Sequence, residues 1–118
     1  MDSQQLWVEP VGSIIIARVR GVPSPELLKE CQERVLLLIR DTNRGKILYD
    51  ALELELRTVE HAWVQRKLDD ELDTSIHLRR AILVPNSRIA LLSRVAFGEG
   101  EYRVFYNDFA AAIKWLEE

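Results

Sequence analysis

The chain has 118 residues, of which 47% are hydrophobic and 30% are charged, and its formal net charge at pH 7 is −3. This length predicts a single domain over residues 1–118, because it can bury a core but is too short for two typical domains. The slightly acidic balance argues against nucleic acid as a partner, since it offers no general attraction for phosphate backbones.

The cysteine content and the opening residues predict a cytoplasmic protein. Cys31 is the only cysteine, which excludes an internal disulfide. The opening segment MDSQQLWVEP lacks the basic start and apolar run of a signal peptide. Apolar runs such as Val35 to Ile39 are far short of the ~20 residues that cross a bilayer. We therefore expect a cytoplasmic location, with contact at a membrane surface left open.

The chain opens with the pattern of a β-hairpin. Leu6 to Val8 and Ser13 to Val22 read as two short strands, because apolar and β-branched residues dominate both. The segment EPVG joins them, and Pro10 and Gly12 are typical turn residues. A hairpin this short predicts that the first two strands are antiparallel.

A strong helix pattern follows Gly21. Ser24 can cap this helix, and Pro25 suits its first position, where a missing N–H costs nothing. Residues at helical spacing predict its buried side: Leu28, Cys31, Val35, Leu38 and Ile39. Asn43 and Gly45 can end the helix, and the segment KILYD then predicts a strand.

The segment ALELELRTVEHAWVQRKLDDEL is ambiguous. Leu52, Leu54 and Leu56 alternate with charged residues as in a strand with one exposed face, yet alanine, leucine and glutamate also favour helices. We predict a strand or extended loop, followed by a second helix from about Thr58 to Leu72. Thr58 can cap this helix, and its apolar side would hold Val59, Trp63, Val64, Leu68 and Leu72.

The last part of the chain predicts two strands and two helices. HLRRAILVP is a strand that Pro85 ends, and NSRIALLSRVAFGEG is a short third helix capped by Asn86 or Ser87. The inward residues of that helix would be Ile89, Leu92 and Ala96. YRVFYNDFAAAIKWLEE predicts a strand, a cap at Asn107 or Asp108, and a closing helix. The inward residues of the closing helix would be Phe109, Ala112, Ile113 and Leu116.

The predicted order is therefore ββαβαβαβα, an α/β fold with a mixed five-stranded sheet and four helices. Strands that are separated by helices usually run parallel, with right-handed crossovers. Trp7 and Trp115 are expected to pack in the core. Trp63 is different, because its helix mixes apolar and charged residues, and that helix is a candidate for a movable lid.

This order resembles the STAS superfamily, and more closely its SpoIIAA-like, or STAS/SEC14, proteins of bacteria. The resemblance rests on KILYD after the first helix, on RRAILVP as a central strand, and above all on YRVFYNDFAAAIKWLEE. That last segment is similar to the family's closing strand ending in Phe, followed by a helix ending in Trp-Leu. The resemblance covers nearly the whole chain and implies a STAS-like domain.

The anti-anti-sigma branch of that superfamily carries a serine after the third strand that a partner kinase phosphorylates. ILYD corresponds to the strand, with Asp50 as its acid, but the following Asp-Ser-Ser-Gly type motif is absent. Thr58 is the only hydroxyl in ALELELRTVEH, which makes it the candidate phosphoacceptor, and the alternative is that it only caps a helix. The resemblance better supports the looser branch, which is thought of as binding apolar ligands or membrane surfaces.

The residues that carry common chemistries are not arranged as sites. His61 and His77 have no partner at metal-like spacing, and Cys31 falls in an apolar stripe. The segment GEG precedes a strand, whereas a phosphate loop follows one. Because no nucleophile and base share a motif, we predict a non-enzymatic protein without metal or cofactor, and an enzyme whose site the sequence does not reveal is a minor alternative.

The favoured hypothesis is a module that binds an apolar ligand through the second and third helices. Its candidate ligand-binding residues are Trp63, Val64, Leu68, Ile89, Leu92, Val95 and Phe97. The alternative is that these residues simply fill the core. We expect a lipid or another apolar small molecule as ligand, with peripheral membrane contact and a homodimer as further expectations. The rival hypothesis is a phosphorylation-controlled interaction module, related to anti-sigma factor antagonists, that uses Thr58 and Asp50.

Overall fold

The structure is a computed structural model, and it describes residues 5–55, 66, 77–97 and 101–118. The elements run in the order β1 (Leu6–Val11), β2 (Ile14–Val19), α1 (Pro25–Thr42), β3 (Lys46–Asp50), β4 (Arg79–Val84), α2 (Ser87–Phe97), β5 (Glu101–Tyr106) and α3 (Phe109–Glu117). The described part of the chain thus holds three helices and not the predicted four. Apart from Arg66, which is helical, the helix predicted from Thr58 to Leu72 lies outside the described residues.

The five strands form one mixed sheet in the order β1-β2-β3-β4-β5. β1 is antiparallel to β2, and β2 to β5 run parallel to one another. This arrangement confirms the predicted mixed five-stranded sheet and its opening hairpin. Leu54, in the segment after β3, makes only an isolated bridge with Gly21, which agrees with the extended loop that was one of the two predictions for this segment.

The turn of the hairpin differs from its prediction. Pro10 belongs to β1, opposite Ile15, and the turn consists of Gly12 and Ser13. Gly12 has a φ of 60°, a left-handed conformation that glycine adopts without steric cost. Two-residue hairpin loops need such a residue, because their twist must match the twist of the strands. Gly12 therefore shapes the turn, and Pro10 does not.

α1 forms where the sequence predicted it. The Oγ of Ser24 accepts the backbone N–H of Leu27 at 3.1 Å, and Asn43 ends the helix with a φ of 56°. The buried side consists of Leu28, Cys31, Gln32, Val35 and Ile39. This confirms the predicted stripe with two changes: Leu38 is half-buried, and Gln32 is buried although it is polar.

α1 and α2 pack on the same face of the sheet. α1 packs on β1 and β2, and its cluster includes Ile15, Ala17 and also Ile47 of β3. α2 covers β4 and β5, and its cluster includes Ile82, Val84 and Ile89. Tyr49 of β3 contacts both clusters and joins them. Because the parallel strands follow one another in one direction and crossovers are right-handed, the helices that connect them belong on one face.

α3 packs on the other face, over β3, β4 and β5. The Oδ1 of Asp108 accepts the N–H of Ala111 at 3.0 Å and caps the helix, as predicted. The side chains that α3 buries are Ala112 and Leu116, which pack with Leu48, Ala81 and Leu83. Phe109 was predicted to face inward, and this was wrong: it is 47% exposed, because it lies beside the half of this face that α3 does not cover.

Trp7 and Trp115 were expected to pack inside the core, but both are half-buried. The ring centroid of Trp115 lies 6.0 Å from that of Phe105, and the guanidinium carbon of Arg79 lies 4.0 Å from the Trp115 centroid. The Trp115 ring therefore lies at the edge of the core, between Phe105 and the Arg79 guanidinium. None of the described helices is long and apolar enough to span a bilayer.

Candidate functional site

The structure places only part of the predicted ligand-binding set. Three of its residues lie outside the described part of the chain: Trp63, Val64 and Leu68. Three others belong to α2, where their backbone alone is described: Leu92, Val95 and Phe97. The seventh, Ile89, is 4% exposed and packs in the core beneath α2. Ile89 thus contributes to the packing of α2 on the sheet, and the ligand-binding role of all seven residues stays a prediction.

The side of α2 that faces away from the sheet carries a large apolar residue between two arginines. Leu91 is 62% exposed, and Arg88 and Arg94, three positions before and after it, are exposed as well. Residues three apart on a helix are neighbours on its surface. Sequence reasoning missed Leu91, although the equal spacing of the two arginines marks the exposed side of this helix.

Asp50, the acid of the ILYD strand, is held by two donors at the end of β3. The Nε of Arg18 donates to its Oδ2 at 3.0 Å, and the backbone N–H of Leu52 donates to its Oδ1 at 3.1 Å. Asp50 is 5% exposed, and Arg18 is its register partner on β2. A buried carboxylate needs such partners, because desolvating an unpaired charge is costly. Asp50 therefore fixes the path of the chain as it leaves β3.

Trp7 lies between two arginines beside this pair. The guanidinium carbons of Arg18 and Arg20 lie 5.9 and 5.2 Å from the centroid of its ring. Arg20 also lies 4.0 Å from Glu53, so each arginine has a carboxylate next to it. The cluster brings charges to the ends of β2 and β3, the edge at which parallel sheets commonly bind ligands.

Two solved structures share this architecture over nearly the whole chain. An uncharacterised DUF3478-family protein with a SpoIIAA-like fold, from Shewanella loihica PV-4, is 23% identical, with a TM-score of 0.63 over 98% of each chain. The anti-sigma factor antagonist SpoIIAA in its unphosphorylated form is 12% identical, with a TM-score of 0.62 over 95% of this chain and 97% of that one. The fold is SpoIIAA-like. No protein-family model and no curated protein matches the sequence.

The SpoIIAA-like fold confirms what the three sequence segments indicated about architecture. KILYD is β3, RRAILV is the fully paired β4, and the closing segment is β5 followed by α3. Thr58 lies eight positions after Asp50, outside the described residues, so both its capping role and its phosphoacceptor role stay predictions.

His77 and Cys31 have different surroundings in the structure: His77 is at the surface, and Cys31 is buried in α1. The Nε2 of His77 lies 2.8 Å from the Oε1 of Glu101, at the surface beside Arg79. In the described ranges, no three metal-ligating side chains come together. Burial raises the pKa of the Cys31 thiol from 9.0 to about 12. Because the thiolate is the reactive form, Cys31 is inert at neutral pH. His61 lies outside the described residues.

Proposed function

We propose that this SpoIIAA-like chain is a non-enzymatic module that binds an apolar ligand or a membrane surface. The binding surface consists of α2 together with the helix predicted from Thr58 to Leu72. The observation that supports the proposal is Leu91, which α2 exposes to 62% of its area. Transfer of this leucine from water to a lipid or an apolar ligand is favourable. Each CH₂ group that is buried contributes ~0.8 kcal/mol to the free energy of binding.

The arginines on either side of Leu91 favour an anionic lipid surface among the apolar partners. Arg88 and Arg94 stand one helical turn before and after it, on the exposed side of α2. Arginines near a membrane surface are attracted to anionic lipids, and an exposed leucine beside them can enter the interface. Six predicted residues complete the proposed surface: Trp63, Val64, Leu68, Leu92, Val95 and Phe97.

Vesicle co-sedimentation tests this proposal. The wild-type chain should bind vesicles of phosphatidylglycerol and phosphatidylcholine better than vesicles of phosphatidylcholine alone. Arg94→Glu should weaken binding about fivefold or more, since each cation near an anionic surface contributes about 1 kcal/mol, and Leu91→Ser should weaken it too. Matched changes on the exposed side of α1, Arg40→Glu and Leu37→Ser, should have no effect.

The apolar-ligand form of the proposal is tested by titration with a fluorescent fatty acid. Saturable binding that Trp63→Ala weakens, while the matched Leu37→Ala variant keeps it, supports this form. A wild-type chain that binds neither vesicles nor the fatty acid contradicts the proposal, as do equal losses for the α1 and α2 variants. The homodimer and the cytoplasmic location remain predictions, and sedimentation equilibrium tests the former.

A phosphorylation-controlled interaction module is the second proposal. It is supported by the likeness to the anti-sigma factor antagonist SpoIIAA, whose structure is that of its unphosphorylated form. Asp50, which two donors fix where the chain leaves β3, lies eight residues before the candidate phosphoacceptor Thr58. Mass spectrometry of the chain isolated from its native cells tests the proposal. Phosphate on Thr58 would support it, and a chain without phosphate at that residue would count against it.

A further inference from the structure

The face of the sheet opposite α1 and α2 carries an apolar groove between the hairpin and α3. The groove has a volume of about 290 Å³, and its walls include Val11, Ile14, Ile16, Phe109, Ile113 and Glu117. It lies on the other side of the sheet from α2. A shallow depression continues it along α3, with Lys114 and Glu118 at its margin.

Among the described elements, one short helix covers this face and leaves part of it open. The crossover helices α1 and α2 pack on the opposite face, and α3, with nine residues, contacts β3, β4 and β5. The hairpin strands therefore present this side without a helix over them among the described elements. Val11 is 45% exposed on one wall and Phe109 is 47% exposed on the other. Two large apolar side chains that face one gap mark a surface suited to a partner.

Two carboxylates lie near the groove. Glu9, on the same face of β1 as Val11, and Glu117, at the end of α3, make no ion pair with any described residue. The two arginines at the end of the hairpin strand β2 on this face, Arg18 and Arg20, already have Asp50 and Glu53 beside them. The C-terminal end of α3 adds the negative end of a helix dipole. The groove therefore lacks cations, with Lys114 the one basic side chain that adjoins it in the described residues.

This charge pattern separates three occupants. An anionic membrane would be repelled by Glu9 and Glu117. A second copy docked by the same face would set the same carboxylates against carboxylates or against arginines that are already paired. A basic segment would supply the missing cations, and its apolar side would cover Val11 and Phe109.

We propose that this groove docks a cationic amphipathic helix of a protein partner. The groove is open to the surface, whereas pockets for small molecules enclose most of their ligand. It runs beside α3 for about 12 Å from Phe109 to Glu117, at 1.5 Å per residue. That length accepts two anchors one or two turns apart on a partner helix, which is the helix-in-groove mode of peptide recognition.

A pair of designed peptides tests the docking. One peptide of ~12–15 residues has leucine on one side of the helix and lysine on the other, and its counterpart has glutamate in place of lysine. The full chain should bind the lysine peptide saturably, measured by fluorescence anisotropy, and should not bind the glutamate peptide. Phe109→Ala should weaken binding about tenfold, the effect typical of losing a central anchor, and Val11→Thr should weaken it less.

Matched variants on α1 distinguish docking from unspecific attraction. Glu117→Lys should weaken binding about two- to fivefold, whereas Glu33→Lys, an identical charge change at an exposed position of α1, should not. Leu37→Ala is the corresponding control for Phe109→Ala. Circular dichroism checks that each variant keeps its fold.

Four outcomes would overturn the proposal. The first is no binding of the lysine peptide, and the second is equal weakening by Glu117→Lys and Glu33→Lys. The third is a dimer in sedimentation that Phe109→Ala abolishes, because a second copy would then occupy the groove. The fourth is anionic vesicle binding that depends on Phe109. Vesicle binding that depends on Leu91 bears on the proposed function alone, so the two proposals can fail separately.

Discussion

Arg18 and Asp50 stand opposite each other on β2 and β3, and the Nε of Arg18 donates to the Oδ2 of Asp50 at 3.0 Å. The two ends of this ion pair differ in exposure: the side chain of Arg18 is 48% exposed, and that of Asp50 is 5% exposed. Removing the arginine therefore leaves a buried carboxylate that, among the described residues, keeps only the N–H of Leu52 as a donor.

Arg18→Met is expected to lower the free energy of unfolding by about 1–3 kcal/mol, the cost of an under-satisfied buried acceptor. Arg34→Met is the matched control, because Arg34 pairs with Glu30 on the exposed side of α1. Exposed pairs of this kind contribute about 0–1 kcal/mol. Urea unfolding of both variants measures the difference, and equal losses would show that the Arg18–Asp50 pair acts as an ordinary surface contact.

The closing helix should stabilise the fold through Leu116 and hardly at all through Phe109. Leu116 is fully buried, so Leu116→Ala should cost about 2–5 kcal/mol through lost contacts and a cavity. Phe109→Ala removes a side chain that is 47% exposed and should cost about 1 kcal/mol or less. Truncation after Asp108 should abolish cooperative melting. A truncated chain that melts near the wild-type temperature would mean that α3 is not part of the core.

Cys31 should make stability fall at alkaline pH. Its pKa is 9.0 when exposed and is raised to about 12 by burial. Below pH 9.0 the thiol is protonated in both states, and its stabilising contribution is fully present. Above pH 9.0 only the unfolded chain releases this proton, so unfolding becomes easier by about 1.4 kcal/mol per pH unit until about pH 12.

The contribution of Cys31 is isolated by comparison with Cys31→Ala, because other groups also titrate in this range. Urea unfolding at a series of pH values should give a steeper loss for the wild type than for the variant. Parallel curves would show that Cys31 does not titrate between the two states. The native thiol should also react with iodoacetamide much more slowly than the thiol in urea.

The lid hypothesis for the helix predicted from Thr58 to Leu72 is tested with two tryptophans. Trp115 packs on Phe105 and beneath Arg79, so Trp115→Ala should lower stability, by an amount approaching the ~3–5 kcal/mol of a fully buried tryptophan. Trp63→Ala should cost less stability but weaken binding of a fatty-acid probe.

Amide exchange offers an independent measurement, since an element that opens locally exchanges faster. The predicted lid should exchange faster than α3. Equal protection of both helices, together with equal stability losses for the two tryptophan variants, would remove the lid hypothesis.

Local signals in the sequence were sufficient for most elements of the fold. Ser24 and Asp108 cap α1 and α3, as their residue types and positions indicated. Of the two candidates for the cap of α2, the structure has Asn86, whose Oδ1 accepts the N–H of Ile89 at 2.9 Å. Caps act within one turn, and the apolar stripe of α1 repeats every three or four residues. Both are therefore visible in a short window of sequence.

Features that depend on distant packing were not predictable in this way. Phe109 occupies an inward position by spacing, yet it is exposed because α3 covers only part of its face. The Arg18–Asp50 pair depends on the register between two parallel strands, whose residues are 32 positions apart in the chain. The groove beside Val11 arises from the distribution of helices over two faces, a property of the assembled sheet that no single segment carries.

Pro10 has a consequence for aggregation. β1 lies at the end of the described sheet, where a free strand edge can recruit strands from other molecules into fibrils. Val11 and Ile14 close the two-residue loop as a hydrogen-bonded pair. The next pair, Pro10 and Ile15, is therefore a non-hydrogen-bonded pair, whose backbone N and O atoms point away from the partner strand. The Pro10 nitrogen thus points towards the free edge of the sheet. Proline has no hydrogen there to donate. An incoming strand would lose a bond at this position, which disfavours edge-to-edge pairing at β1.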